Sequence, residues 1–121
     1  MTGKITPNFI EVRQGDNFTI LLQFKDEKKG GLVNLTNAAL KMQVRNKEDN
    51  RVALTKIGSI DDALKGKASI SILPEDTQNL SVSREYITDI QITFGNGEVH
   101  TIYPSEISKV AAFIVSQNVT E

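Results

Sequence analysis

From Phe18 to Phe24 the chain alternates without a break: Phe18, Ile20, Leu22 and Phe24 fall on one parity, Thr19, Leu21 and Gln23 on the other. A side chain returns to the same face every second residue only in an extended strand, so this run is a half-buried strand and not a helix. The pattern recurs through Leu40, Met42 and Val44, through Ala68, Ile70 and Ile72, and through Tyr86, Ile90, Ile92 and Phe94. A weaker strand is read at Val52, Leu54 and Ile57, and "SIDDALKG" is read as a polar connection. Charged or Gly-rich turns separate these runs. About seven to nine short strands so spaced predict an all-β chain folded as an antiparallel sandwich. No linker or repeat divides residues 1–121, so they form one domain, long enough to bury roughly two-thirds of its unfolded surface.

Local signals sharpen this outline. "EVRQGDNFTILLQFKD" reads as a hairpin folded across a Gly15-Asp16-Asn17 turn. Pro74 opens "PEDTQNL", which suits one helical turn, with Glu75 and Asp76 at the positive end of its dipole. In "FGNGEV", Asn96-Gly97 predicts a two-residue type I′ turn. That register sets Phe94 opposite Val99, Thr93 opposite His100, Ile92 opposite Thr101 and Ile90 opposite Tyr103. In the tail, a helical turn is expected near 105–109 and a strand near 111–119.

Composition narrows the chemistry. Fourteen Lys and Arg against fifteen Asp and Glu leave a formal charge of −1, with no basic cluster for nucleic acid. The absence of cysteine removes disulfides and thiolate metal sites. No apolar run reaches the length of a membrane span, and "MTGKITPNF" lacks the apolar core of a secretory signal. The N-x-[ST] sites at Asn17, Asn34, Asn79 and Asn118 are therefore read as strand ends and not as glycan sites.

Few residues offer themselves for catalysis. His100 is the single histidine, and no acid is patterned around it as a general base would need, so a solvent-facing strand position is expected. The acid pairs Asp26-Glu27, Glu48-Asp49, Asp61-Asp62 and Glu75-Asp76 read as solvated turn charges, with Asp61-Asp62 the one worth testing for calcium. Gly30-Gly31 and Gly95-Asn96-Gly97 do not lead from a strand into a long helix, as a phosphate cradle requires. The chain has no tryptophan, and its Tyr and Phe residues fall mostly on inward positions, against a sugar-binding platform. No enzyme activity, metal or cofactor is expected.

In order, the segments "FIEVRQGDNFTILLQFKD", "VNLTNAALKMQVRN", "KGKASISILPEDTQNL", "YITDIQITFGNGEVHTI" and "AAFIVSQNVT" resemble the small immunoglobulin-like modules of tailed-bacteriophage virions. They are similar in style to the N-terminal domain of the phage baseplate upper protein. Shared traits are a Q-G-D turn, a "dLT" step (here Asn34-Leu35-Thr36) and a closing Val119-Thr120. The resemblance implies an immunoglobulin-like β-sandwich with one or two short helical turns. It also implies a non-enzymatic virion protein of the tail, baseplate, neck or head decoration, assembled in the host cytoplasm. Such a module docks to other phage virion proteins, in homo-oligomeric or symmetric copies, without nucleic acid or membrane. The family's protein continues into receptor-binding segments, whereas this sequence stops at Glu121. An arm over residues 1–8 would supply the contact through Lys4, Ile5 and Pro7. A bacterial immunoglobulin-like adhesion module, with a carbohydrate ligand in one version, is the alternative.

Overall fold

The computed structural model describes residues 3–25, 31, 33–105 and 109–117. Ten strands occur there: β1 (Gly3–Ile5), β2 (Phe9–Arg13), β3 (Phe18–Gln23), β4 (Ala39–Asn46), β5 (Val52–Ile57), β6 (Ser59–Asp62), β7 (Lys67–Ile72), β8 (Tyr86–Thr93), β9 (Val99–Tyr103) and β10 (Ala111–Ser116). A 3₁₀ turn at Ala63–Lys65 and one helix, α1 (Pro74–Gln78), complete the described elements. The larger sheet runs β1-β2-β10-β8-β4-β5, with β9 also on β8, and the smaller runs β3-β7-β6. The chain is an all-β sandwich. The inward parity of the core strands is the expected one: Ile20, Leu40, Met42, Val44, Ile70, Ile72, Ile90, Ile92 and Phe113 are at most 1% exposed, whereas in β9 Val99, expected inward opposite Phe94, faces Thr93 and is 56% exposed.

From β3 onward the strands are distributed as B, C, C′, D, E, F and G are in an immunoglobulin variable-type domain. The G position is shared by β9 and β10, which pair with successive halves of β8. Tyr86, at the start of β8, accepts a hydrogen bond from the Ser81 N–H on its hydroxyl at 2.8 Å. That is the tyrosine corner of such sandwiches, and two residues on, where many of them carry a cysteine, stands buried Thr88. With no disulfide to form, Thr88 donates its hydroxyl to the Gln43 carbonyl at 2.7 Å.

Four expectations need correction. The Gln14–Gly15–Asp16 turn does not close a hairpin, because β2 and β3 lie in different sheets. It carries the chain between them and is tied to α1 and the residues just after it: the Gly15 N–H donates to Thr77 Oγ1 and Gln14 Nε2 to the Leu80 carbonyl, both at 2.9 Å. "SIDDALKG" is not a plain connection. It forms β6 and the 3₁₀ turn, and its one apolar strand residue, Ile60, is too little to show an alternation.

The third correction concerns the β8–β9 turn. Asn96 lacks the positive φ that type I′ requires, and Phe94 pairs with Glu98 through an N–H···O bond of 2.8 Å. The loop is thus three residues, Gly95-Asn96-Gly97, closed by left-handed Gly97 (φ 92°) and by Asn96 Oδ1 accepting the Glu98 N–H. The register moves by one: Thr93 faces Val99 and Ile92 faces His100. A bulge beyond Gln91 then restores the expected pairing of Ile90 with Tyr103. Fourth, Glu75-Asp76 is not wholly solvated, as shown below. The strand expected near 111–119 is β10, while most of the helical turn expected near 105–109 lies outside the described residues, as does Val119-Thr120.

The Asn34-Leu35-Thr36 step has a clear local cause. Asn34 Oδ1 accepts from the Thr36 N–H (2.9 Å) and hydroxyl (2.6 Å), an Asx turn that drives Leu35 into the core with no exposure.

Candidate docking surface

The residues expected in a loose arm are partly a strand. Gly3–Ile5 pairs antiparallel with β2, setting Gly3 opposite Val12, Lys4 opposite Glu11 and Ile5 opposite Ile10. A turn then ties Thr6 to Phe9: the Thr6 N–H donates to the Phe9 carbonyl (2.8 Å), and the Phe9 N–H to Thr6 Oγ1 (3.1 Å). The Tyr103 hydroxyl donates to the Thr6 carbonyl at 2.8 Å, and its burial pushes its pKa up to about 12. The start of the chain is thereby clamped to the end of β9.

Within this clamp Lys4, Ile5 and Pro7 are all exposed. Ile5 lies on the inward side of the sheet yet is 40% exposed, because β1 is the sheet's last strand and nothing described lies beyond it. Lys4 is on the outer side, with its ammonium 5.6 Å from the centre of the Phe9 ring and its strand position opposite Glu11. Phe9 in turn begins a row across the outer face, Phe9–Ala112–Ile87–Arg45, which the strand register sets side by side. Ile114, beside Glu11, widens this apolar strip. Next to it a groove of about 380 Å³ is lined by Arg45, Ile87, Asp89, Thr101, Pro104 and Lys109 among others. Sequence reasoning missed the strip. Its signal was Ile87, Ala112 and Ile114 on the outward parity of strands otherwise polar on that side.

The other candidates are placed elsewhere. His100 is exposed on β9, 3.3 Å from Glu98 and edge-on to Phe94 with ring centres 5.6 Å apart. Asp49 accepts the Arg51 N–H at 3.0 Å, and this bond holds its carboxyl below the ordinary value. Asp62 accepts the Lys65 N–H (3.3 Å), while Asp61 stays exposed. Asp76 is mostly buried, 2.8 Å from the Lys56 ammonium and accepting the Leu73 N–H at 2.7 Å. Asp26-Glu27 lies outside the described residues. Among the described residues no three of His, Asp or Glu come together as a metal site. Compared with protein-family models and with curated proteins, the chain matches none.

Proposed function

We propose that this chain is a non-enzymatic structural module of a tailed-phage particle, acting by docking to neighbouring virion proteins. The observation that carries the reading is the order of its motifs. From the Gln14–Gly15–Asp16 turn, through Asn34–Leu35–Thr36, to the last strand, they follow the sequence style of phage sandwich modules along nearly the whole chain. The outer edge of β1 supports a docking role. An edge strand offers unpaired N–H and C=O groups to another backbone, and Lys4, Ile5 and Pro7 stand exposed beside them. The partners are other virion proteins, met by symmetric copies of this chain, and the place of action is the virion.

The test is mass spectrometry of purified virions of the phage that encodes the chain, repeated with an Ile5→Asp variant. The chain is expected in intact particles. The variant, whose change falls at an exposed edge, is expected to fold and to be depleted from them. Absence of the parent from particles overturns the reading; normal incorporation of the variant removes only the β1 contact.

A further inference from the structure

The β1–β2 segment belongs to the larger sheet, and this has a consequence on the opposite side of the molecule. In a constant-type immunoglobulin domain the A strand lies beside B. Here β2 pairs with β10 instead, which leaves β3 as the terminal strand of the smaller sheet, with β7 its one neighbour among the described strands.

Five strands have a single neighbour among the described strands, β1, β3, β5, β6 and β9, and they differ in how they are guarded; β9 carries a bulge in its ladder with β8. Natural edges are blunted by shortness, by charge, by bulges or by charges turned inward. β1 is three residues long and carries Lys4. β5 turns Lys56 inward onto Asp76. β6 is four residues long, carries Asp61 and Asp62, and slips register between Ile60 and Asp62. β3 has none of these devices: its six residues, FTILLQ, include no charge and no proline, and its ladder with β7 is unbroken. At its middle Leu21 is 80% exposed, more than any other described large apolar residue.

The backbone direction follows from the ladder. The Phe24 N–H donates to the Gly66 carbonyl at 2.8 Å, one rung beyond the Gln23–Lys67 pair. Antiparallel strands bond at alternate residues. Phe18, Ile20 and Leu22 therefore face β7, and Thr19, Leu21 and Gln23 turn their N–H and C=O groups outward.

We propose that β3 pairs antiparallel with β3 of a second copy of this chain, about a twofold axis at Leu21. Leu21 then meets Leu21 and Thr19 meets Gln23, each exchanging both backbone bonds, while Ile20 meets Leu22 on the core side. The strand is self-complementary: no charge meets its like, and the most exposed leucine is covered by its own copy. The same operation on β1 about its middle residue would set Lys4 against Lys4. Joined through β3, two three-stranded sheets become one continuous sheet, and the isologous contact closes at a dimer. This inference stands apart from the phage reading, since it rests on the strand alone.

The test is sedimentation of the full chain across concentration, beside Leu21→Lys and Leu21→Pro. The parent is expected to dimerise reversibly with Kd tighter than about 1 mM, and each variant to weaken this at least about tenfold. Leu21→Pro removes an N–H that has no partner in β7, so the fold persists, as edge strands tolerate proline. Leu21→Cys gives a second readout, because the chain has no other thiol. Oxidation should link it to its copy, whereas Thr55→Cys on the guarded β5 edge should stay unlinked. A parent that stays monomeric overturns the proposal, even if it captures a foreign strand, and so does a dimer unchanged by Leu21→Lys and unlinked by Leu21→Cys. Those two variants decide the matter if Leu21→Pro unfolds.

Discussion

The turns Ala63–Gly66 and Phe94–Gly97 close with the same bond. In each the N–H of the fourth residue donates to the carbonyl of the first, at 3.2 and 2.9 Å, and that fourth residue is a glycine with left-handed φ, 67° and 92°. Their surroundings are opposite. Gly97 sits at a tip where an added Cβ would find no atom within 4 Å. At Gly66 it would lie 2.6 Å from the Phe24 carbonyl oxygen and 2.8 Å from that of Val33. Three segments cross there: the Phe24 N–H bonds the Gly66 carbonyl, the Val33 N–H bonds the Phe24 carbonyl, and the Leu35 N–H bonds the Ala63 carbonyl. Local chemistry makes both turns, but the segment laid over a turn sets its weight in the fold.

The sharpest use of this pair is the same substitution at both sites. Gly66→Ala combines left-handed strain with a clash against two backbone carbonyls that cannot swing away. A loss of about 3 kcal/mol or more is expected. A urea melt measures it, and a loss no larger than at Gly97 would break the comparison.

Gly97→Ala meets only the left-handed strain, and about 1–2 kcal/mol is expected in the same melts. Asparagine separates the two causes, because it tolerates left-handed φ better than alanine. Gly97→Asn should regain most of the loss. Gly66→Asn should regain little, since its Cβ meets the same carbonyls.

This contrast also explains what could be read from the chain before folding. Period-2 runs such as Phe18–Phe24 and Leu40–Val44 report which face of a strand is buried, and burial followed them closely because one core serves both sheets. Partners distant in sequence leave no such trace. "LKGK" gives no sign that Phe24 and Val33 lie on Gly66, nor "RQGD" that Thr77 and Leu80 hold Gln14 and Gly15. "GNGE" misled for a local reason. Glycines flank Asn96 on both sides, so a three-residue loop competes with the two-residue turn and shifts the register by one. The exposure of Lys4, Ile5 and Pro7 was legible, because the segment TGKITPN around them is polar and short of core residues. That Gly3–Ile5 is an edge strand depends on β2, and that β3 has β7 as its one neighbour among the described strands depends on β10, and neither dependence is written locally.

The smallest effect is expected at the tip itself, from His100→Asn. If the Phe94–Gly97 turn is held by its own backbone, side chains around it contribute little. Outside the loop itself, where Asn96 Oδ1 accepts the Glu98 N–H, His100 is the best placed to contradict this, since it touches Glu98 at 3.3 Å and lies edge-on to Phe94. Yet the imidazole and carboxylate are 56% and 65% exposed, so water competes for both groups. An exposed pair of this kind contributes about 0–1 kcal/mol, and the ring contact, being half solvated, adds little. Asparagine keeps a polar group on the strand, so the urea midpoint should move by less than about 0.5 kcal/mol equivalent, in the range of ordinary surface changes. A loss matching that of Gly97→Ala would show that side chains hold the tip, and its difference from the Gly66 turn would no longer be one of packing alone.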